Sequence, residues 1–488
     1  MSKFLSTRNK ADAVDARNAI VRGLSADGGL YAPEVIPEID YHKLMGLPYY
    51  KLAAEIIKVF FTDFPEGDID CSCEEAYNHH FDTAEVCPVV KKGGIYITEL
   101  FHGETCAFKD VALSILPRLM VRALKSLGIT DKVLILTATS GDTGSAAMNG
   151  FRDVPGTGII TFFPNEGVSP LQRKQMVCMK GKNLTACAVN GNFDDCQSAV
   201  KEAFGSMERP AGVRFSSANS INIARLVPQI GYYFATYLKL LESGEIKDGE
   251  NLNFVVPTGN FGDILAGYYA KRMGLPVGKL ICASNANNVL TDFLTTGVYD
   301  RNREFLKTSS PSMDILISSN LERLLYHEQD EDDNKVALQM SALKKDGVYK
   351  IDESVLMKIR KTFDAYCCDD NECMDTIRDF FTETGYVLDP HTAVAVACEK
   401  KFEKKNPGAK CAVLSTASPY KFPASILRAL NMNEEKDAIM MLDLVREKTG
   451  TAIPEALGML ESATELHTDV IEKSGIQEYV YKTCGKLF

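Results

Sequence analysis

The sequence predicts an α/β fold with mainly parallel sheets, and two observations support this prediction. From about residue 93, short and nearly continuous apolar segments recur along the chain. Helical patterns that open with glycine, serine or threonine separate several of these segments. Apolar strands that alternate with helices are typical of a parallel sheet that helices cover on both faces.

The apolar segments have the length of strands, and the helices between them have recognisable starts. Ser169 is a good N-cap residue with Pro170 in the first helical position, and further helices are predicted from about Asn192 and over residues 264–274. The predicted strands are GIYIT (94–98), VLILTAT (133–139), GIITFFP (158–164), LTACAV (184–189), NFVVPT (253–258), KLICAS (279–284) and CAVLST (411–416).

Residues 1–92 have a different pattern, which is mostly helical. The clearest apolar stretch is KLAAEIIKVFF at 51–61, and the turn-rich SADGGLYAP at 25–33 precedes it. A chain of 488 residues is too long for one small core. We therefore predict an N-terminal, mostly helical domain over residues 1–92 and a larger core over residues 93–488.

Composition and charge exclude several classes of protein. The formal net charge of -11 argues against a general nucleic-acid-binding role. No run of 18 apolar residues is present, and the N-terminus lacks the apolar segment of a signal peptide. The 14 cysteines lack the paired spacing of a structural zinc site. We expect a cytoplasmic protein that uses no metal and binds neither membranes nor nucleic acids.

Lys109 lies in the segment ELFHGETCAFKD at 99–110, where its neighbours are mostly aromatic, small or apolar. A lysine amine that is removed from water loses its charge more easily and becomes a usable nucleophile. A lysine near a helix start can equally cover apolar surface with its stem while its amine reaches water. This segment alone leaves both interpretations open.

Loops rich in glycine or hydroxyl groups follow three of the strands, at TSGDTGSAA (139–147), TGNFGD (258–263) and STASPYKFP (415–423). The glycines of the first two loops let a ligand come close to the backbone. The amides at the helix starts that follow can bind a carboxylate or a phosphate. A hydroxyl in the third could face a heteroaromatic nitrogen. Each loop taken alone could equally be a tight turn between a strand and a helix.

A fourth polar segment, SSANSINIARLVPQ at 216–229, places Asn222 and Arg225 ahead of an apolar helix. Arginine suits bidentate recognition of phosphate or carboxylate, although an arginine on a solvent-facing helix surface is an equal alternative. Taken together, the four segments favour a ligand site over four unrelated structural features. A pyridoxal phosphate enzyme needs a lysine, a phosphate site, a substrate carboxylate site and a partner for the ring nitrogen.

Eight motifs, in this order, closely resemble the threonine synthase family. They extend from residue 5 to residue 423, which is nearly the whole chain. The motifs are LSTRN (5–9), GLSADGGLYAP (23–33), FHGETCAFKD (101–110), ATSGDTGSAA (138–147), NSINIARLVPQ (219–229), VPTGNFGD (256–263), DPHTAVA (389–395) and LSTASPYKF (414–422).

The resemblance implies a fold-type II pyridoxal phosphate enzyme, similar to the β-subunit of tryptophan synthase. Two α/β lobes would hold the cofactor between them, and the smaller lobe would span roughly residues 126–215. Lys109 would form the Schiff base with pyridoxal 5'-phosphate, and Thr416 would face the pyridine nitrogen. The residues implied to hold the cofactor phosphate are Gly259, Asn260, Phe261, Gly262 and Asp263.

The resemblance also implies where the substrate would bind. Asn222 and Arg225 are the candidates for its phosphate. One departure concerns this region, because Glu104 stands where the family usually has proline, and a carboxylate near Lys109 could hinder a dianionic substrate. The residues implied to take the substrate carboxylate are Ser140, Gly141, Asp142 and Thr143.

The family reaction converts O-phospho-L-homoserine and water into L-threonine and phosphate, the last step of threonine biosynthesis. It proceeds by γ-elimination of phosphate and β-addition of water. Two alternatives remain open from the residues: a phospho-lyase that releases a 2-keto acid from a phosphorylated hydroxy-amino acid, and a catalytically silent relative that binds the cofactor. Both a monomer and a homodimer are compatible with the sequence.

Overall fold

The computed structural model describes residues 2–206, 210–435 and 437–488. Within these ranges the chain forms sixteen strands and twenty α-helices. In chain order the strands are β1 (Lys3–Ser6), β2 (Asn9–Asp15), β3 (Tyr31–Pro33), β4 (Val89–Lys92), β5 (Ile95–Glu99), β6 (Lys132–Ala138), β7 (Thr157–Pro164), β8 (Leu184–Asn190), β9 (Val213–Ser216), β10 (Leu252–Pro257), β11 (Val277–Ser284), β12 (Val298–Asp300), β13 (Val348–Lys350), β14 (Phe363–Cys367), β15 (Cys411–Ser415) and β16 (Val470–Glu472).

The α-helices alternate with these strands, and short 3-10 helices occupy several turns. In chain order the α-helices are α1 (Ala16–Arg22), α2 (Tyr49–Phe60), α3 (Asp68–Tyr77), α4 (Lys109–Ser126), α5 (Asp142–Phe151), α6 (Pro170–Val177), α7 (Phe193–Ser206), α8 (Ile223–Leu226), α9 (Ile230–Glu242), α10 (Gly262–Arg272), α11 (Val289–Thr296), α12 (Leu321–Glu328), α13 (Asp333–Lys345), α14 (Glu353–Thr362), α15 (Asp370–Thr384), α16 (Pro390–Lys405), α17 (Pro423–Ala429), α18 (Ala438–Thr449), α19 (Glu455–Gly458) and α20 (Ile476–Cys484). The 3-10 helices are Tyr41–Leu44, Val227–Gln229, Pro311–Met313, Pro419–Lys421 and Lys473–Gly475.

The N-terminal region contains the predicted helices and a small sheet that was not predicted. Helix α2 covers most of the apolar stretch at 51–61, which confirms that prediction. Strands β1, β2 and β3 form an antiparallel sheet in the order β2-β1-β3. Strand β2 has the sequence NKADAVD and is largely exposed, so it lacks the alternation of apolar and polar residues by which a strand is recognised.

The larger sheet has six strands in the order β14-β11-β10-β15-β5-β4, and every neighbouring pair is parallel except β5 with β4. Alternate residues of β10 enter different cores. Phe254 packs in one core with Tyr233 of α9, whereas Val255 packs in another with Val394 of α16. Both faces are therefore covered by helices, which confirms the predicted architecture.

The second parallel sheet has five strands in the order β16-β8-β7-β6-β9. Strand β6 also faces two cores, with Ile135 in one and Leu134 in the other. Four of its strands lie at 132–216, and β16 joins the edge from the C-terminal part of the chain. The division into domains at residues 92 and 93, and the bounds of the smaller lobe, stay predictions.

The arrangement of the strands determines where ligands can bind. In parallel sheets the carboxyl ends of the strands meet at one edge, and the loops that follow them form a common cleft. The loops after β6 and β10 each lead directly into a helix start, at Asp142 of α5 and Gly262 of α10. The two sheets thus bring together the loops that carry most of the predicted site residues.

No helix in the described ranges is long and apolar enough to cross a membrane.

Candidate active site

A cavity of about 1420 Å³ lies where strands of both sheets end. Its wall includes the loops after β6, β10 and β15, the start of α4, and a segment at 301–319. The structure brings eleven of the thirteen sequence-predicted site residues to this cavity, namely Lys109, Ser140, Asp142, Thr143, Arg225, Gly259, Asn260, Phe261, Gly262, Asp263 and Thr416.

Lys109 is the first residue of α4, and its side chain is only 11% exposed. Its Nζ lies 4.6 Å from the centroid of the Phe108 ring and 3.4 Å from Oδ2 of Asp142. Burial lowers the pKa of Lys109; Asp142 opposes that shift, while Lys421 and Arg225 add to it. The amine therefore gives up its proton more easily than a solvent-exposed lysine, as a nucleophile requires.

Asp142 is held by four donors from different parts of the chain. Its Oδ1 lies 2.9 Å from Lys421 Nζ and accepts a hydrogen bond of 2.9 Å from Gln172 Nε2. Its Oδ2 accepts from Ser312 Oγ at 2.9 Å and faces Lys109. Burial alone would raise the pKa of Asp142, but the neighbouring Lys421 and, to a smaller extent, Lys109 hold it well below the usual range. The residue is thus a carboxylate whose oxygens are already occupied.

The loop at 259–263 approaches a neighbouring segment too closely for a larger residue at Gly259. A Cβ on Gly259 would lie 2.8 Å from the backbone oxygen of Ser312. Phe261 adopts a left-handed conformation with φ of 62°, immediately before α10 begins at Gly262. The first N–H groups of a helix lack partners within the helix, and its N-terminus favours negative charge. This loop therefore forms a suitable site for phosphate.

The side chain of Asp263 is buried beside this loop. Its Oδ1 accepts hydrogen bonds from the hydroxyls of Tyr232 at 2.6 Å and Tyr233 at 2.9 Å. Within the described residues, its Oδ2 has no hydrogen-bond partner. Burial raises the pKa of Asp263 to about 6. Only the backbone of this residue suits an anion, because an ionised carboxylate would repel one.

Arg225 is a buried cation without a carboxylate partner among the residues that the structure describes. One of its terminal nitrogens donates to the carbonyl oxygen of Ala218, and its Nε makes no hydrogen bond within that same part of the chain. Burial lowers the pKa of Arg225 to about 10. An uncompensated guanidinium at a cavity wall is suited to bind an anion.

Two predicted residues, Asn222 and Gly141, lie outside the lining of the cavity. Asn222 is fully buried and caps α8: its Oδ1 accepts from the Ala224 N–H at 3.0 Å, and its Nδ2 donates to the carbonyl oxygen of Ile20 at 3.0 Å. Gly141 has φ of 141°, and a Cβ there would lie 2.5 Å from the side chain of Gln172. Both residues have evident structural reasons for their positions.

Thr416 follows β15 and is 5% exposed at the wall of the cavity. Its carbonyl oxygen accepts a hydrogen bond of 2.8 Å from the Phe108 N–H. A neutral hydroxyl is thus available in the cavity, close in space to the start of the lysine helix.

Glu104 does not lie at the cavity wall, although the sequence predicted a carboxylate near Lys109. Its Oε1 is 2.7 Å from His80 Nδ1, and its Oε2 accepts from Arg152 Nη2 at 2.9 Å. Burial opposes ionisation, but His80 and Arg152 together lower the pKa of Glu104. The carboxylate is therefore neutralised away from the cavity.

The polar residues of this cavity that sequence reasoning missed include Gln172, Ser312, His391 and Lys421. Lys421 and His391 occur in the motifs at 414–422 and 389–395, so a second lysine in such a motif was an available signal. His391 is buried; its Nδ1 contacts Asp389 Oδ1 at 2.8 Å, and its Nε2 accepts from the Ser312 N–H at 3.2 Å. No motif points to Ser312 or Gln172.

The groups in the cavity fit pyridoxal phosphate. They supply a lysine of lowered pKa for its aldehyde, a glycine-flanked helix start for its phosphate, and a buried hydroxyl for its ring nitrogen. Among the described residues no three His, Cys, Asp or Glu side chains are grouped so that they could hold a metal ion.

Comparisons with known proteins cover nearly the whole chain. A family model described as "Threonine synthase N terminus" matches residues 3–77, "Pyridoxal-phosphate dependent enzyme" matches residues 89–416, and "Threonine synthase, C-terminal" matches residues 392–480. Threonine synthase of Pseudomonas aeruginosa is 37% identical, over 95% of this chain and 98% of that protein. Human threonine synthase-like 1 is 36% identical over 99% of this chain, and the chain spans 66% of that relative's length.

A solved structure is similar over the full length. The crystal structure of threonine synthase with pyridoxal phosphate from Brucella melitensis aligns with a TM-score of 0.88 at 38% identity, and 99% of each chain is covered. The chain therefore belongs to the threonine synthase family of pyridoxal-phosphate dependent enzymes.

Proposed function

We propose that the protein is a threonine synthase, which converts O-phospho-L-homoserine and water into L-threonine and phosphate. One observation carries the proposal: Lys109 shares its cavity with two groups that are suited to bind anions. The helix start at 259–263 suits the cofactor phosphate, and the uncompensated guanidinium of Arg225 suits a second phosphate. A substrate that bears its own phosphate would occupy the second site.

The cofactor would be held by residues from both sheets. Lys109 would join its aldehyde, and the backbone amides of residues 259–263 would bind its phosphate. When bound, pyridoxal phosphate supplies a conjugated electron sink that stabilises negative charge at the carbons next to the amino group. The hydroxyl of Thr416 would face the ring nitrogen and leave it unprotonated, which moderates that sink and disfavours side reactions.

The substrate carboxylate would bind at the start of α5. The hydroxyls of Ser140 and Thr143 and the first backbone amides of the helix are suitable donors. The carboxylate of Asp142 would take no direct part, because Lys421, Gln172 and Ser312 already occupy it. With the carboxylate at α5 and the phosphate at Arg225, the substrate backbone would lie against Lys109.

Lys109 would then move the protons of the reaction. With the substrate amine bound at the cofactor, the neutral Nζ would accept the proton from Cα and release it to the bound cofactor, and, neutral again, it would accept a proton from Cβ. Phosphate would then leave from Cγ, Lys109 would return a proton to Cγ, and water would add at Cβ as a second proton returns to Cα to give threonine. The burial of Lys109 supports this role because it lowers the pKa of the amine toward the range of a general base.

A cytoplasmic location is part of the proposal. All 14 cysteines are unpaired, and most of them are buried. Free cysteines in this number suit a reducing compartment.

A product assay tests the proposal. Purified full-length holoenzyme is incubated with O-phospho-L-homoserine, and threonine, phosphate and 2-oxobutyrate are quantified, with Lys109→Ala as the blank. Equal amounts of threonine and phosphate would support threonine synthase. Phosphate with 2-oxobutyrate and without threonine would favour the phospho-lyase instead. A protein that binds the cofactor but turns over no phosphorylated amino acid would be the silent relative.

A further inference from the structure

Two buried lysines share one carboxylate in the active-site cavity. Lys421 is fully buried, and its Nζ lies 2.9 Å from Asp142 Oδ1 while it also donates to the carbonyl oxygen of Thr105 at 2.8 Å. Lys109 faces the other oxygen of Asp142 at the longer distance of 3.4 Å. Asp142 is therefore engaged more closely by Lys421 than by Lys109.

This arrangement matters because an isolated carboxylate beside Lys109 would stabilise its charged form. A buried lysine next to an unpaired carboxylate keeps its proton, whereas a lysine next to a neutral ion pair feels mainly the cost of burial. The side chain of Lys421 is removed from water, and its Nζ contacts Asp142 and the carbonyl oxygen of Thr105 instead.

We propose that Lys421 is a positioning residue that engages Asp142 and thereby leaves the amine of Lys109 uncharged and able to react. The proposal rests on the proposed role of Lys109 as the cofactor lysine, and it adds a second lysine that acts only through Asp142. Lys421 itself touches neither the aldehyde nor the reacting carbons in this scheme.

Other charged groups also surround the two lysines. Arg225 of α8 disfavours a charge on Lys109, and Lys109 itself opposes the rise that burial causes in the pKa of Asp263 of α10. His391 of α16 acts on Asp142 and is itself bonded to Asp389. Arg225 and Asp263 belong to elements other than the 3-10 helix of Lys421, so a change at Lys421 leaves them in place.

The experiment measures how fast full-length protein, freed of cofactor, captures added pyridoxal phosphate at a series of pH values. Capture is followed by the visible absorption band of the bound cofactor. Because only the uncharged amine reacts, the midpoint of the rate against pH reports on Lys109. This measurement does not depend on threonine formation, so it can fail or succeed independently of the product assay.

Three variants are compared with the unaltered protein. In Lys421→Met, the carboxylate of Asp142 has lost its closer lysine and stabilises the charged form of Lys109. The midpoint of the capture rate therefore rises by about one pH unit, and the rate at mildly alkaline pH falls about tenfold. Lys421→Arg keeps the charge and retains a midpoint close to the original. In the double variant Asp142→Asn with Lys421→Met, the midpoint returns to the original value or falls below it.

Two results would overturn the proposal. An unchanged midpoint in a folded Lys421→Met protein, checked by circular dichroism, would overturn the proposal. So would a double variant whose midpoint stays above the original, because the effect would then not act through Asp142. If Lys421→Met does not fold, Lys421→Gln, which also removes the charge, takes its place with the same expected rise, and an unchanged midpoint in that variant would overturn the proposal equally.

Discussion

The carbonyl oxygen of Thr416 accepts a hydrogen bond of 2.8 Å from the backbone N–H of Phe108, the residue before Lys109. Ala107 and Ala417 form a β-bridge beside it. The end of β15 and the start of α4 are therefore fixed to each other. This contact brings the proposed partner of the cofactor's ring nitrogen next to the proposed cofactor lysine, although some 300 residues separate them in the chain.

Lys109→Ala should abolish the visible absorption of the bound cofactor and lower turnover at least about 1000-fold, because no other group replaces its amine. Absorption spectra and initial rates of the purified protein measure both effects. Lys125→Ala, at the exposed far end of the same helix, is the matched control and should behave as the unaltered protein. Turnover retained in Lys109→Ala would remove the lysine from its proposed role.

Arg225→Gln should raise the KM for the phosphorylated substrate about 10- to 100-fold, since a lost charge-assisted hydrogen bond costs about 1.5–3 kcal/mol. Cofactor affinity should change far less. Steady-state kinetics and a cofactor titration separate the two quantities. Arg214→Gln, which alters an arginine paired with Asp131 at the surface, is the control. Equal losses in both affinities would contradict a site specific for the substrate.

Gly259→Ala should weaken cofactor binding, because the added methyl group would lie 2.8 Å from the backbone oxygen of Ser312. Either the loop at 259–263 or the cavity segment around Ser312 must then shift. A fluorescence or absorption titration with pyridoxal phosphate measures the change, for which we expect at least about tenfold. Gly485→Ala, where an added Cβ meets no atom within 4 Å, is the control. Unchanged affinity would show that the loop does not hold the phosphate.

Asp263→Asn should alter how stability depends on pH. Burial raises the pKa of Asp263 from 3.8 to about 6. The folded protein therefore binds this proton more tightly than the unfolded chain, so the resulting stability is present below about pH 4 and is lost as the pH rises through about 6. The asparagine variant has no such loss. Its free energy of unfolding relative to the unaltered protein should improve by up to about 3 kcal/mol between about pH 4 and about pH 7.

Urea unfolding of the two proteins at both pH values tests this prediction. A constant difference between them across the pH range would mean that Asp263 is ionised equally easily in the folded and unfolded chains. The hydroxyls of Tyr232 and Tyr233 donate to Oδ1, and an asparagine oxygen can accept the same hydrogen bonds. The variant should therefore stay folded.

The strands and the glycine loops could be predicted from the sequence because their signals are local. The segments at 133–139, 158–164 and 253–258 are apolar on both faces, and the structure has β6, β7 and β10 there. Ser169 caps α6 through a hydrogen bond from the Gln172 N–H at 3.2 Å, as its position before Pro170 predicts. Each of these elements can be recognised from the residues within it and directly beside it.

The contacts that set the charge of the site could not be predicted in the same way. Asp142 and Lys421 are 279 residues apart in the chain, and only the folded sheets bring them together. Asn222 has the residue type of a ligand, yet its Oδ1 caps α8 and its Nδ2 donates to the carbonyl oxygen of Ile20. The type of a residue in a motif does not reveal whether the folded chain uses it to bind a ligand or to make structural hydrogen bonds.

The most direct test of the account is to identify the lysine that carries the cofactor. Two lysines, Lys109 and Lys421, line the cavity at the carboxylate of Asp142. Reduction of the holoenzyme with borohydride, digestion and mass spectrometry fix the cofactor to its lysine and locate it. The account predicts the modification on Lys109 alone; a modification on Lys421 or on any other lysine would contradict it.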